Sequence, residues 1–570
     1  MNPRKEMYMN ENMTKWREDS VCCAENQQAT YTACLTCDTE HTVALTLGDA
    51  PLFSHEGTSL RLCGHLVEGE FVPGSYVVRV RINRTQGVLL VDVTLPDGGT
   101  VRRGDYRMLD GTSLCWFSHA GAMEIQADVY YEDILPETYT RVCEEPVSTG
   151  FSANVYNLVN CFDCPQTTRL FAWTGLRSFL GNREMALQYR PAGVEAWLAV
   201  DAAEKFQIDN HGNLMGDERF FAADIDGLTA DTAYEYRIGV KDATDASLWS
   251  EWFPFRTAPA EIGDFRFVAV GDTQGLNWEW NSYCKAAVDK ALDEVKDAAF
   301  LFNLGDMADI GNVAELWNLY FKSVRDHIVT LPHFAAVGNH DTGVGEGELN
   351  SRFSLHFHHP QNGAHALDDS FKRDVTSPSL LSQFEHPEES IYSYDYGNTH
   401  FTVLNTGSYC LEDRAILEAQ RAWLTADLEA HKDARWKILC FHEPVYHRRG
   451  GWETRLCLHD IIEKYGVDLV LLGHSHLVTR TYPMKDGGIV TKQSPDQITK
   501  GVGTVHVTVG STTLSHDDMG DPNMEYCMLI HTPPNEQAAY TVVSVEKERI
   551  EVTIKQLNGY VVDRFVIIHE

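Results

Sequence analysis

Two things are scarce in this chain: long apolar runs and positive charge. No apolar stretch in its 570 residues approaches the roughly 20 residues that a bilayer-crossing helix needs, so no membrane span is expected. Lys and Arg number 47 against 82 Asp and Glu, for a net charge of −35. A surplus of that size repels polyanions, which argues against nucleic acid or an anionic membrane surface as a partner. Nor is an export signal visible. Met1-Asn-Pro-Arg-Lys-Glu-Met7 carries charge, but no apolar segment follows it, so a cytoplasmic location is the expectation. Among the fourteen cysteines, Cys22-Cys23 and Cys34-Leu-Thr-Cys37 offer four thiols, but no second ligand pair at finger-like spacing follows. Free thiols are therefore expected there and at Cys161-Phe-Asp-Cys164, with a structural zinc on the first four as the alternative.

What is present describes a globular protein of several domains. Apolar residues make up 43% and charged residues 23%, and the chain is too long for one core. Residues 1–40 are polar and unpatterned, and read as a loosely ordered lead-in. Residues 41–145 hold short strand-like runs, including Thr42–Leu47, Tyr76–Ile82 and Val88–Val93, parted by Gly, Asp and Pro as in Leu95-Pro-Asp-Gly-Gly99. That spacing predicts a small β-sandwich or barrel, in which no residue points to chemistry. Residues 146–260 form a second β module, closed by Trp249-Ser-Glu-Trp-Phe-Pro-Phe-Arg256 and the linker Thr257-Ala-Pro-Ala260. From 261 to 570 close-spaced strands give way to alternating strands and helices, the mark of an α/β domain with layered sheets flanked by helices.

The chemistry sits where those strands stop. Phe300-Leu-Phe-Asn-Leu-Gly-Asp306-Met-Ala-Asp309 is an apolar run ended by glycine and two aspartates. Phe265–Val270 runs into Gly271-Asp272-Thr-Gln274, and Phe334–Val337 into Gly338-Asn339-His340-Asp341. Trp436–Phe441 ends at His442, and Val467–Leu472 at Gly473-His474-Ser-His476. Strand ends of a parallel sheet converge on one rim, so residues far apart in sequence can meet there. A mixed set of Asp, Asn, Gln and His suits first-row metals, and a shared carboxylate with two half-sites is what a two-metal hydrolytic centre needs. Near these motifs, His447, Arg448 and Arg449 are equally readable as solvated loop charge and as a grip on substrate phosphate. An insert from about 342 to 389 has no periodicity; its His356, His358, His359 and His365 read as surface or pocket-rim residues, with extra metal ligands as the alternative.

The five motifs in this order resemble the calcineurin-like metallophosphoesterases over roughly residues 262–520. Asp226-Gly-Leu-Thr-Ala-Asp-Thr-Ala-Tyr-Glu-Tyr236 has a fibronectin type III-like rhythm and resembles the domain that precedes the catalytic domain of purple acid phosphatases. The resemblance implies two metal ions of the Fe, Mn or Zn type. One would be held by Asp272, Gln274, Asp306 and His476, and the other by Asp306, Asn339, His442 and His474. A hydroxide between the metals would attack a phosphate ester, most readily a phosphomonoester, while His340 acts as general acid with its ring oriented by Asp341. Asn339, His447 and Arg448 would contact substrate. Rival readings are a phosphodiesterase acting on cyclic nucleotides or phospholipid headgroups, and a binding protein that keeps the fold without turnover. Two departures stand out: Gln274 replaces a commoner histidine, and Asp309 occupies the place of the tyrosine that colours the purple enzymes. Asp309 is expected instead to orient one of the ligand histidines.

Overall fold

The computed structural model describes residues 16–22, 27–38, 42–47, 50–67, 69, 71–83, 88–105, 114–120, 125–133, 151, 154–205, 217–341, 352–364, 390–406, 414–446, 451–493, 496–514, 525–532 and 537–569. The strand Phe265–Val270 shows why the α/β part layers as it does. Its Phe265, Phe267 and Ala269 enter one core and its Val268 and Val270 another, because side chains alternate across a sheet that is covered on both faces. Parallel strands Leu301–Asn303 and His333–Ala335 pair beside it in register Val268↔Leu301↔His333. On its other side the antiparallel run Ala539–Val545, Arg549–Gln556 and Val561–Ile568 extends the same seven-stranded sheet.

A second sheet lies against the first. Its parallel strands Thr399–Val403, Trp436–Cys440, Leu469–Leu472 and Val505–Val509 are paired in that order, and Tyr392–Tyr396 folds back on Thr399–Val403 as a hairpin. Between the sheets sits an aromatic core that includes Phe267, Phe300, Phe334, Tyr394 and Phe401; Phe334 stacks on Tyr394 with centroids 4.0 Å apart. Helices Trp278–Glu294 and Ala314–Ile328 cover the outer face of the first sheet through Tyr283, Ala287, Trp317 and Tyr320. Helices Arg414–Ala430 and Gly451–Lys464 cover the second through Leu424, Leu428, Leu458 and Ile462. Among the described residues no helix is long and apolar enough to cross a membrane.

Two β modules precede this four-layered unit, as expected of the fold class. The nearer one has two four-stranded sheets around Phe171, Trp173, Tyr236 and Phe255. The farther one departs from the expectation in two ways. Its strand Gln27–Cys37 lies inside the presumed lead-in, with Ala29, Tyr31, Ala33, Leu35 and Cys37 all buried. Alanine and cysteine carry that alternation, which makes it faint in the sequence. Cys34 and Cys37 stand three apart on this strand, so they face opposite sides; Cys37 is buried and Cys34 half-exposed. One zinc cannot collect both, while Cys23 lies outside the described residues.

The second departure is continuity. Strand Thr100–Asp105 pairs in parallel with Cys527–Thr532, from Leu529↔Arg102 to Thr532↔Asp105. Five strands of the N-terminal module thereby join the second sheet, making twelve in all. Charge closes the seam: the Arg102 guanidinium donates to Asp563 Oδ1 at 3.2 Å and to Asp92 Oδ1 at 2.6 Å. Arg480 donates to Asp563 Oδ2 at 2.6 Å, and buried Arg103 donates to the Cys527 carbonyl at 3.2 Å.

The insert histidines also differ from the expectation. His356, His358 and His359 are 1%, 7% and 0% exposed, because the nearer β module packs over them. His358 Nε2 lies 2.6 Å from Asp224 Oδ1, and Lys205 Nζ donates to the Ser354 carbonyl at 2.9 Å. His356 sits among Phe220, Trp317 and Phe321, and burial holds it well below the usual histidine range. His365 lies outside the described residues.

Candidate metal centre

Three of the five predicted ligand loops leave their strands through a conformation that side chains avoid. Asp272, Asp306, His474 and His476 have φ of +49°, +55°, +74° and +48°. Left-handed backbone at four non-glycine residues is strain that persists only where the surroundings enforce it, and such strain gathers at functional sites. Glycines make the close approach possible. Gly305 has φ +99°, and a Cβ on it would stand 2.6 Å from His442 Nδ1; one on Gly338 would meet Asp306 Oδ1 at 2.1 Å.

The structure brings these side chains into two groups that share one residue. Asp306, His442 and His474 form one, and Asp272, Asp306 and His476 the other, with the ligand atoms of each group within 4.8 Å of one another. His442 Nε2 is 3.0 Å from Asp306 Oδ2, while its Nδ1 lies 2.8 Å from the Leu304 carbonyl, a contact that fixes which nitrogen faces the site. Asn339 Oδ1 lies 3.1 Å from His442 Nε2 and 2.9 Å from His474 Nδ1. Across Asp306, His476 Nε2 is 3.4 Å from Asp272 Oδ1. The Gln274 amide that satisfies its neighbours puts nitrogen on the Asp272 and Asp306 carbonyls, at 3.2 and 3.0 Å, and turns its oxygen to His476 Nε2 at 3.2 Å.

Does this set fit metal? Asp272 is fully buried, yet its Oδ2 has no hydrogen-bond partner among the described residues. An orphaned buried carboxylate oxygen is costly unless a cation meets it. The donors are carboxylate, amide and imidazole without thiolate, a set suited to first-row metals. The set fits two ions bridged by Asp306. Burial alone would lower His442, but the adjacent Asp306 carboxylate raises it to about 10. Burial alone would raise Asp306, but the charge and hydrogen bond of His442, with His340 and His474 adding, hold it well below the usual carboxylate range.

Two roles differ from those the motif suggested. Asp341 does not steer the His340 ring. Its carboxylate accepts from the backbone amides of Asp306, Met307, Ala308 and Gly338 at 2.8–3.0 Å, so it shapes the loop that carries the shared ligand. Burial and the charge of Asp306 push its carboxyl up to about 7. His340 is instead anchored by Asp309: its Nδ1 lies 2.8 Å from the Asp309 carbonyl oxygen and 3.7 Å from the carboxylate. Asp309 therefore orients a histidine, but the one beside the ligands rather than one of them. The His340 side chain stays 35% exposed, open to an incoming molecule, and its backbone amide donates to Asp306 Oδ1 at 2.9 Å. His447 and Arg448 lie outside the described residues.

Sequence reasoning missed the loop after strand Val505–Val509. Ser511 Oγ donates to the Asp272 carbonyl at 2.9 Å and Thr513 Oγ1 to the Gln274 carbonyl at 3.2 Å. The signal was the same as for the ligands, an apolar strand ending in glycine, but hydroxyls do not stand out as metal chemistry.

Fold and site together give a two-sheet α/β domain in which two candidate ligand groups share Asp306. Residues 265–478 match the family model described as Calcineurin-like phosphoesterase. Purple acid phosphatase 18 of Arabidopsis thaliana is 28% identical over 300 residues, covering 50% of this chain and 56% of that protein. Fe(3+)-Zn(2+) purple acid phosphatase 12 of the same plant is 23% identical over 323 residues, covering 53% and 61%. The match thus spans under two thirds of either relative's length. A purple acid phosphatase from yellow lupin (Lupinus luteus) seeds superposes with a TM-score of 0.57 at 14% identity, covering 99% of this chain and 94% of that one. That likeness extends the shared fold across the β modules.

Proposed function

We propose that this chain is a metal-dependent phosphatase that hydrolyses phosphate esters, most readily phosphomonoesters, at the centre bridged by Asp306. The observation that carries the reading is the sharing of Asp306 by two ligand groups beside a half-exposed histidine. The family match and the purple acid phosphatase relatives support it.

When bound, two such metals would supply Lewis acidity toward the phosphoryl oxygens and lower the pKa of water. Asp272, Gln274 and His476 would hold one, Asn339, His442 and His474 the other, with Asp306 common to both. The chain does the rest. Asp341 fixes the Asp306 loop, and the Leu304 carbonyl fixes the His442 tautomer. His340, its Nδ1–H on the Asp309 carbonyl, presents Nε2 outward, placed to hand a proton to the departing oxygen of the ester. General acid catalysis of that kind contributes typically 10²–10⁴-fold.

The test is hydrolysis of p-nitrophenyl phosphate and bis-p-nitrophenyl phosphate by the full chain reconstituted with Mn²⁺, Zn²⁺ or iron, beside Asp306→Asn. Metal-dependent monoester turnover absent from Asp306→Asn is expected. No metal-dependent hydrolysis of either ester would defeat the reading, and a strong diester preference would convert it to a phosphodiesterase.

A further inference from the structure

Gln274 is an unusual choice for a ligand. Its amide oxygen is neutral, and its side chain has three torsions to fix before it can bind. A carboxylate or imidazole compensates for poor placement with charge or basicity; an amide cannot, so its affinity depends on being aimed in advance.

The structure shows what aims it. The Gln274 amide nitrogen donates to the Asp272 and Asp306 carbonyls, so its direction is only as fixed as those carbonyls are. Ser511 Oγ donates to the same Asp272 carbonyl at 2.9 Å, occupying its second lone pair. Thr513 Oγ1 donates to the Gln274 carbonyl at 3.2 Å, and Thr513 N donates to Ser511 Oγ at 3.1 Å. Below them, the Thr512 amide donates to the Gly271 carbonyl at 3.0 Å, and Thr512 Oγ1 donates to the Ala539 carbonyl at 2.9 Å. Ser511, Thr512 and Thr513 are fully buried. The loop they hold begins with Asp272 at φ +49°, a shape that needs outside support.

We propose that Ser511 and Thr513 are positioning residues for one half of the metal centre: they clamp the Asp272–Gln274 loop so that the Gln274 amide oxygen is aimed at the metal beside His476. The other half needs no such clamp, since His442 is held directly by the Leu304 carbonyl. The proposal rests on the two-metal reading above.

The experiment is Mn²⁺ binding by equilibrium dialysis with elemental analysis, on the full chain and on Ser511→Ala, Thr513→Val and Thr513→Ser. The unaltered chain should bind two ions. Ser511→Ala and Thr513→Val should weaken one site by roughly 10–100-fold, the usual cost of removing a group that orients a ligand. The other site should be unchanged, which also reports that the variants fold, and Thr513→Ser should restore the loss. Two-site isotherms identical to those of the unaltered chain, or equal weakening of both sites, would overturn the clamp alone. Fewer than two ions on the unaltered chain would overturn the two-metal reading and the clamp with it.

Discussion

Two clusters of aspartate and histidine stand in the α/β domain, and their residue types are nearly the same. One is the centre around Asp306. The other joins the hairpin Tyr392–Val403 to the helix Arg414–Ala430 through Asp395, His400, Asp427 and His431. Partnership separates them. In the second, His400 Nδ1 lies 2.8 Å from Asp395 and its Nε2 2.9 Å from Asp427, so both ring nitrogens donate and the ring is an imidazolium. His431 stacks on it at 3.7 Å with planes 11° apart, an arrangement in which in-plane lone pairs of the two rings cannot converge on one ion. Burial would lower His400, but its hydrogen bonds to Asp395 and Asp427 raise it to about 9. In the first cluster Asp272 Oδ2 has no hydrogen-bond partner among the described residues and four residues hold left-handed backbone. The same letters make a closed charge network in one place and an open ligand set in the other.

That contrast can be broken experimentally, and the largest effect should come from the shared ligand. Asp306→Asn should remove metal-dependent hydrolysis and lower bound metal at both sites, whereas Asp395→Asn should leave both as they were; ester turnover and elemental analysis would show it. Next, His340→Ala should lower kcat by roughly 10²–10⁴-fold without changing metal content, and by more for an alkyl phosphate than for p-nitrophenyl phosphate, whose leaving group needs no proton. Metal should then distinguish the clusters through stability. Mn²⁺ at about 100 times its dissociation constant should stabilise the folded chain by about 2.7 kcal/mol per site. That gain should vanish in Asp306→Asn and survive in Asp395→Asn, read as a shift in Tm.

The smallest effect belongs to pH. The folded pKa of His400 lies above its ordinary 6.5, at about 9. Its contribution is therefore complete below about pH 6.5 and is lost as pH rises through about 9. The loss should be about 2–3 kcal/mol, the lower figure allowing for the solvent around Asp395. Urea unfolding at pH 6.5 and pH 9.5 should show it, and His400→Gln should flatten the difference.

How legible was all this? The candidate ligands were readable because most of them follow an apolar strand by a residue or two, as Asp272 follows Val270 and Asp306 follows Leu304, while Gln274 and His476 stand two residues beyond another candidate. The helices Trp278–Glu294 and Arg414–Ala430 were readable from their apolar faces. Harder to see was the strand Gln27–Cys37, whose inward residues are partly alanine and cysteine, and the burial of His356, His358 and His359. Those rings look like surface groups until a β module from elsewhere in the chain covers them.

By itself the sequence determined which chemical groups stand at the strand ends, and hence the class of reaction they suit, because strand periodicity and glycine punctuation are local. Only the tertiary structure decided who serves whom. Asp309 rather than Asp341 anchors His340, Asp341 shapes the Asp306 loop, and Ser511 and Thr513 support the Asp272–Gln274 loop. It also carried the catalytic sheet into the N-terminal module through Thr100–Asp105 and Cys527–Thr532. These are pairings between distant segments, set by geometry across the fold, and no neighbouring residue encodes them.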